Sequence, residues 1–189
     1  MKPTEFSWHP LTLDRWNDLQ TLFGPNGACG GCWCMYWRMA RKDFVAGKGA
    51  VNQARLLGVL QTTSPGVILY HGLDPVGWCA VAPRVDYPVL ARSRVMAPVD
   101  DKAVWSVICF FVRKEWRKKG LGVSLLRAAM DFAKGQGGVI LEGYPTDSEK
   151  QTAAPFIWTG LVSMFKKAGF KEVARRSATR PIFRKNLAD

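Results

Sequence analysis

Three adjacent cations, Arg117, Lys118 and Lys119, run straight into Gly120-Leu121-Gly122, where an amphipathic stretch begins. The first N–H groups of a helix have no partner within it, and the helix dipole favours an anion at that end. A glycine-bracketed turn carrying three positive side chains at a helix start is a device for holding phosphate. Two common phosphate loops do not fit it. The P-loop needs a glycine, four residues and then Gly-Lys-Ser/Thr, a run found nowhere in the chain, and the dinucleotide fingerprint needs a third glycine where Leu125 stands.

The elements that must position this turn are legible on both sides of it. The apolar run over 104–112, VWSVICFFV, reads as the strand that delivers it. Beyond it, Ser124, Arg127, Asp131 and Lys134 are spaced three, four and three, which makes one polar stripe on a helix whose remaining face is apolar. Gly135, Gly137 and Gly138 end that helix, and Val139-Ile140-Leu141 open a strand leading into Glu142-Gly143-Tyr144-Pro145. A second helix is expected over 160–168, closed by Gly169-Phe170.

Nearer the N-terminus, 6–13 reads as an edge strand and Asp14 as the cap of a helix over 15–23. A polar helix follows over 51–60, then strands over 67–71 and 76–82 joined by a hairpin, and a proline-containing loop over 83–101 that covers part of the site. The order β-α-α-β-β-β-α-β-α-β, with one further C-terminal strand, predicts an α/β protein built on a mixed sheet with helices on both faces.

Taken as Arg or Gln, two residues, Gly, one residue, and Gly or Ala, the run from Arg117 to Gly122 resembles the pyrophosphate-binding signature of the GNAT superfamily of N-acetyltransferases, which use acetyl-coenzyme A. The short helix ending in Ala168-Gly169-Phe170 resembles the last segment of the same proteins. The likeness is specific over 104–173 and architectural over 5–84. It implies one GNAT-like domain over 1–189, with a central, mostly antiparallel mixed sheet whose strands splay apart beside the signature. It also implies that the pantothenate arm of the donor pairs with the backbone of Phe110, Phe111 and Val112. Arg117, Lys118, Lys119, Gly120, Leu121, Gly122 and Val123 then cradle the pyrophosphate. A backbone N–H near Phe110 or Phe111 would steady the oxyanion while an amine attacks the thioester directly.

The proton-handling positions depart from the family pattern. Where many members carry a tyrosine, five residues before the Gly-Phe phenylalanine, this chain has Phe165; where some carry a glutamate on the strand before the signature, it has Ser106. Tyr144, Ser163 or a water is left as the acid for the departing thiolate, and Glu142 or Asp147 as the base, so Glu142, Tyr144 and Ser163 are the candidate catalytic residues. Glu142 follows an apolar strand, and it reads either as a desolvated base or as a solvated strand end.

Cys29-x-x-Cys32-x-Cys34 admits a metal site, redox or nucleophilic use, or small-residue packing in a tight turn; with no second ligand pair in the sequence, no metal is assigned. Cys79 and Cys109, in apolar strands, read as core residues. Beside the cysteine cluster stand Trp33, Tyr36 and Trp37. In the family this segment commonly lines the acceptor pocket, and aromatics there suit a flat or cationic amine.

Composition sets the outer bounds. A chain of 189 residues with 48% apolar content buries one full core, and no stretch approaches the roughly 20 apolar residues needed to span a bilayer. The opening MKPTEFSWHP has no run of signal-peptide type, and five cysteines do not read as a disulfide framework, so a reducing cytoplasm is expected. The net charge is +12, with eight Lys/Arg against one acidic residue over 166–185. That charge reads as a solvated surface partly serving the cofactor's phosphates, or as attraction to a polyanion. The expected partners are acetyl-coenzyme A as acyl donor and an amine on a small molecule, in a monomer or homodimer. The alternatives are an amine carried on nucleic acid, such as aminoacyl-tRNA, and a non-catalytic acyl-coenzyme A sensor.

Overall fold

Alternate residues of the central strands are apolar on both sides of the pleat, so each strand must be covered on both faces. Val67 and Leu69 face one core and Ile68 and Tyr70 the other, and Val107 and Ile108 divide in the same way. A computed structural model, which describes residues 6–147 and 158–188, shows how this demand is met. Strands β1 (Phe6–Pro10), β2 (Gly66–His71), β3 (Asp74–Pro83), β4 (Trp105–Val112), β5 (Ile140–Gly143), β6 (Lys171–Arg175) and β7 (Pro181–Asn186) form one sheet in the order β1-β2-β3-β4-β5-β7-β6. Every neighbouring pair is antiparallel except β4 and β5. The mixed, mostly antiparallel sheet with helices on both faces is thus as the sequence predicts. No helix among the described residues is long and apolar enough to cross a membrane.

Helix α1 (Trp16–Phe23) covers one face with Leu19, Leu22 and Phe23, together with the segment around Trp33 and Trp37, the short α2 (Arg41–Ala46) and α3 (Ala50–Leu60). Helix α5 (Leu121–Gly135) covers the other, burying Leu121, Leu125, Leu126, Ala129, Phe132 and Ala133 against β2, β3 and β4. Its polar stripe, Ser124, Arg127, Asp131 and Lys134, is exposed as the spacing predicts. A four-residue turn of helix, α4 (Pro88–Ala91), and α6 (Val162–Lys167) are the other α-helices among the described residues. Asp14 does not cap α1: it lies in a 3-10 turn, Arg15 occupies the cap position, and no side chain closes the helix.

The feature that positions the site is the parting of β4 from β5. They pair only over Trp105↔Leu141, Ser106↔Glu142 and Val107↔Gly143, whereas β4 runs on to Val112. Past Gly143 the chain turns to another partner: the Thr146 N–H donates to the Gly160 carbonyl at 2.8 Å, and the Val162 N–H to Thr146 at 3.2 Å. The ring of Phe165 fills the wedge, wholly buried against Phe110, Phe170 and Phe183. A Cβ on Gly143 would sit 2.2 Å from that ring. Gly143→Ala is therefore expected to lower stability by about 1–3 kcal/mol, the usual cost of overpacking a filled core. A shift in the urea midpoint checks it, and an unchanged midpoint would show that Phe165 can retreat.

Candidate functional site

A cleft of about 670 Å³ opens where β4 and β5 part, a size suited to a small organic ligand. One end is the start of α5. Gly120 holds the left-handed cap conformation (φ 81°), with nothing within 4 Å of where a Cβ would stand. The first N–H groups of a 15-residue helix face this end, and the side chains of Arg117 and Lys118 line it. Lys118 itself has φ 62°, an uncommon conformation for a residue with a side chain. Lys119 turns away, its ammonium 4.7 Å from the centre of the Trp116 ring. Neither Lys119 nor Val123 lines the cleft, whereas Phe110, Phe111, Val112, Arg117, Lys118, Gly120, Leu121 and Gly122 all do.

Two backbone groups expected to meet the donor already have partners in the chain. The Phe110 N–H donates to the Trp158 carbonyl at 2.6 Å, and Arg117 Nε donates to the Val112 carbonyl at 2.9 Å. A ligand using these positions must exchange one hydrogen bond for another, so the net gain there is small.

The opposite end is aromatic. Tyr36 lies with its ring centre 4.9 Å from Trp37, 5.3 Å from Phe44 and 5.4 Å from Trp158, and all four rings line the cleft. Among the described residues the buried Trp37 Nε1–H has no hydrogen-bond partner, which leaves a donor for a ligand. Trp33, expected in the same pocket, packs instead into the core between Trp16 and Phe23, and the cleft does not reach it. Neither Trp158 nor Phe44 carries a site signal in the sequence: Trp158 directly follows the apolar run AAPFI, and Phe44 lies in a short helix with no motif around it.

Four thiols, Cys29, Cys32, Cys34 and Cys109, also line the cleft. All five cysteines are free, and among the described residues no three of His, Cys, Asp and Glu are placed to share a metal ion. Cys109, read from sequence as core, faces the cleft from β4. The Cys34 sulfur accepts a hydrogen bond from Trp78 Nε1 at 3.2 Å. A hydrogen bond from Cys109, then that from Trp78, hold the Cys34 thiol below its ordinary pKa despite full burial. Burial pushes the neighbouring Cys32 up to about 11.

Glu142, Tyr144 and Ser163 are not brought to the cleft. Glu142 is wholly buried: its carboxylate accepts from Arg84 Nη1 at 2.8 Å, Tyr144 Oη at 2.5 Å and Arg184 Nε at 2.7 Å. That is neither a solvated strand end nor a base with a lone pair turned toward a substrate. Tyr144 also meets Arg84 and the Ser106 hydroxyl, and burial, then the Glu142 charge, raise its pKa well above the ordinary value, making it a poorer acid. Ser163 is exposed at a separate depression of about 250 Å³ beside Thr146, Asp147 and Lys166. The loop over 83–101 covers this cluster and not the cleft. Arg84 holds the Met96 carbonyl at 2.6 Å, Arg176 holds the carbonyls of Ala97 (2.6 Å) and Pro98 (3.0 Å), and Arg184 pairs with Asp100 at 2.8 Å.

The model of the Acetyltransferase (GNAT) family matches residues 31–157. No curated protein matches the sequence. Among solved structures, a GNAT-family acetyltransferase from Streptococcus agalactiae superposes with a TM-score of 0.57 at 11% identity, over 97% of this chain and 96% of that one. The PaiA N-acetyltransferase of Thermoplasma acidophilum, solved in complex with coenzyme A, gives 0.54 at 13% identity, over 96% and 98%. At such identities the likeness shows the fold.

Proposed function

This chain belongs to the GNAT acetyltransferase family, and we propose that it moves an acetyl group from acetyl-coenzyme A to a primary amine on a small molecule. It is an acyltransferase with an acyl-coenzyme A as donor; the acetyl group and the small-molecule acceptor are our reading. The observation that carries it is the single cleft joining the glycine-capped start of α5 to the gap between β4 and β5. The helix start offers the backbone N–H groups of Leu121 and Gly122 beside Arg117 and Lys118 for the pyrophosphate, while the Val123 N–H turns back to the Gly120 carbonyl, and the parted strands offer an extended slot for the arm behind it. When bound there, the donor supplies an activated thioester.

The aromatic end then receives the acceptor. Tyr36, Trp37, Phe44 and Trp158 suit a flat or cationic amine, and Trp37 Nε1–H can fix its orientation through an oxygen of the ligand. Against an acceptor carried on nucleic acid, the arginines over 166–185 are engaged with the chain's own carboxylates and carbonyls, though Arg175 and Arg176 stay at the surface. Arg175 pairs with Asp147 and Glu172, Arg176 and Arg180 hold backbone carbonyls, and Arg184 pairs with Glu142 and Asp100. Within 166–185, Lys166, Lys167 and Lys171 are exposed and carry no such pairing among the described residues, so they are the charges most open to a polyanion.

The test is a panel of amines with acetyl-coenzyme A, following release of coenzyme A and, separately, the heat stability of the protein with coenzyme A present. Aromatic amines are expected to drive release, with marked stabilisation by coenzyme A. Stabilisation without release for any amine would favour a sensor. No stabilisation at all would count against the donor site.

A further inference from the structure

The four rings at the aromatic end of the cleft touch one another. Tyr36 stands edge-on to Trp37, Phe44 and Trp158, at 88°, 85° and 81°, and the centres of Trp37 and Trp158 are 5.5 Å apart. Rings this close leave no gap among them for a cation to enter, so they make a wall and not a cage. A cation meets a wall from one side only, which repays little of the hydration that an ammonium gives up on entering. The nearby charges have the wrong sign for it as well. The Lys48 ammonium lies 5.8 Å from the centre of the Phe44 ring, and the charged side chains lining the cleft among the described residues, Arg117 and Lys118, are cations.

A flat, uncharged ring meets the same wall over a large area. The wall also makes one polar demand. Trp37 is 7% exposed, and among the described residues its Nε1–H has no acceptor. Leaving such a donor buried and unpaired is costly, and an oxygen on the incoming ring removes that cost. Resting on the reading that this cleft brings an acyl-coenzyme A to an amine, we propose that the acceptor is an aromatic amine of one kind: its amino group is bonded directly to the ring, and the ring carries an oxygen that accepts from Trp37 Nε1–H.

Basicity points the same way as shape. An amine attacks only through a free lone pair, and an alkylamine near lysine's pKa of about 10.4 is neutral in roughly one molecule in 2,500 at pH 7. An amine bonded to a ring shares its lone pair with the ring and is neutral at that pH, so it enters the apolar cleft in its attacking form. That suits a site from which Glu142 and Tyr144 are sealed away with Arg84 and Arg184. The step balances. The amine nitrogen attacks the thioester carbonyl carbon, an N–C bond forms, and the C–S bond to the donor breaks. The proton on nitrogen, made acidic by the ring and the new acyl group, passes to the departing sulfur, whose ordinary pKa is about 8.5. Nothing is oxidised or reduced.

The experiment compares para-aminobenzamide with para-(aminomethyl)benzamide, its homologue with one methylene between ring and nitrogen, and with aniline, which lacks the oxygen. Acetylated product is measured by liquid chromatography and mass spectrometry, and the heat stability of the protein with coenzyme A is read in parallel. At pH 7, kcat/KM is expected to be roughly tenfold or more higher for para-aminobenzamide than for the homologue, and level between about pH 6 and 9. Trp37→Phe keeps a ring in the wall and removes the donor. It should raise KM for para-aminobenzamide about fivefold more than KM for aniline, the effect of one hydrogen bond. The wild-type comparison stands whether or not the variant folds. A homologue that reacts as fast or faster at pH 7 overturns the proposal and leaves the donor site standing, because the site then takes up an ammonium and removes its proton. Stabilisation by coenzyme A with no product from either benzamide overturns it too, and equal rises in KM in Trp37→Phe overturn the role of the oxygen. A protein that coenzyme A does not stabilise brings down the donor site and this proposal together.

Discussion

Gly120→Glu is expected to weaken coenzyme A binding by roughly 10²-fold or more while the protein stays folded. The position has open space around it, so the new side chain meets no atom within 4 Å at its Cβ. The folding cost is confined to the backbone: φ of 81° is natural for glycine and costs an L-residue about 1–2 kcal/mol. A carboxylate at the N-terminus of α5 returns about 0.3–1 kcal/mol through the helix dipole, so net stability changes little.

Binding is affected far more. The carboxylate takes the place of the expected phosphate, competing for the same N–H groups and repelling it. Loss of two charge-assisted hydrogen bonds, at about 1.5–3 kcal/mol each, already exceeds the 2.8 kcal/mol that corresponds to about a hundredfold in affinity. Gly120→Ala is the control. It bears the same backbone strain without the charge and should retain binding within about tenfold. Calorimetric titration with coenzyme A checks both. Full affinity in Gly120→Glu would place the phosphates elsewhere.

What made this end of the site readable was that its signals are local. A strand, three cations, a left-handed glycine and an amphipathic helix follow one another within 31 residues, from Val104 to Lys134, and each is fixed by its own neighbours. The aromatic and thiol end is different, because its residues are placed by contacts distant in sequence. Cys34 is held by Trp78, 44 positions away, and Tyr36 and Trp37 meet Trp158, more than 100 positions away. No periodicity links such residues, so Trp33 and Trp37 look alike in the sequence, yet one packs in the core and the other lines the cleft. The start of α1 departs from the sequence expectation for a related reason. Asp14 is a favourable cap type, but the 3-10 turn over Leu13–Arg15 moves the helix start past it.

Glu142 shows the same limit most clearly, and its removal carries the second large effect. Its place after an apolar strand made it visible; its partners, Arg84 and Arg184, lie 58 and 42 residues away. The two guanidinium side chains are only 12% and 11% exposed, and the carboxylate between them is 0% exposed. Glu142→Ala would leave both buried cations and the Tyr144 hydroxyl without their common acceptor. Deleting one partner of a buried ion pair typically costs about 3–5 kcal/mol, because the remaining charge is stranded in a medium that solvates it poorly. For a domain of this size each kcal/mol lowers the melting temperature by about 2–4 °C, so a fall on the order of 10 °C is expected.

The consequences should spread along the chain, since Arg84 also holds the 83–101 loop and Arg184 holds Asp100. Hydrogen exchange should therefore quicken in that loop as well as in β5. Glu142→Gln separates structure from chemistry. As a packing partner, Glu142 loses charge in this variant but keeps its shape, so stability falls by less than in Glu142→Ala and turnover per folded molecule is preserved. As a base, it would lose turnover by about 10²–10⁴-fold with a normal melting temperature. The closed geometry of the cluster predicts the first pattern, and the second would return Glu142 to the cleft.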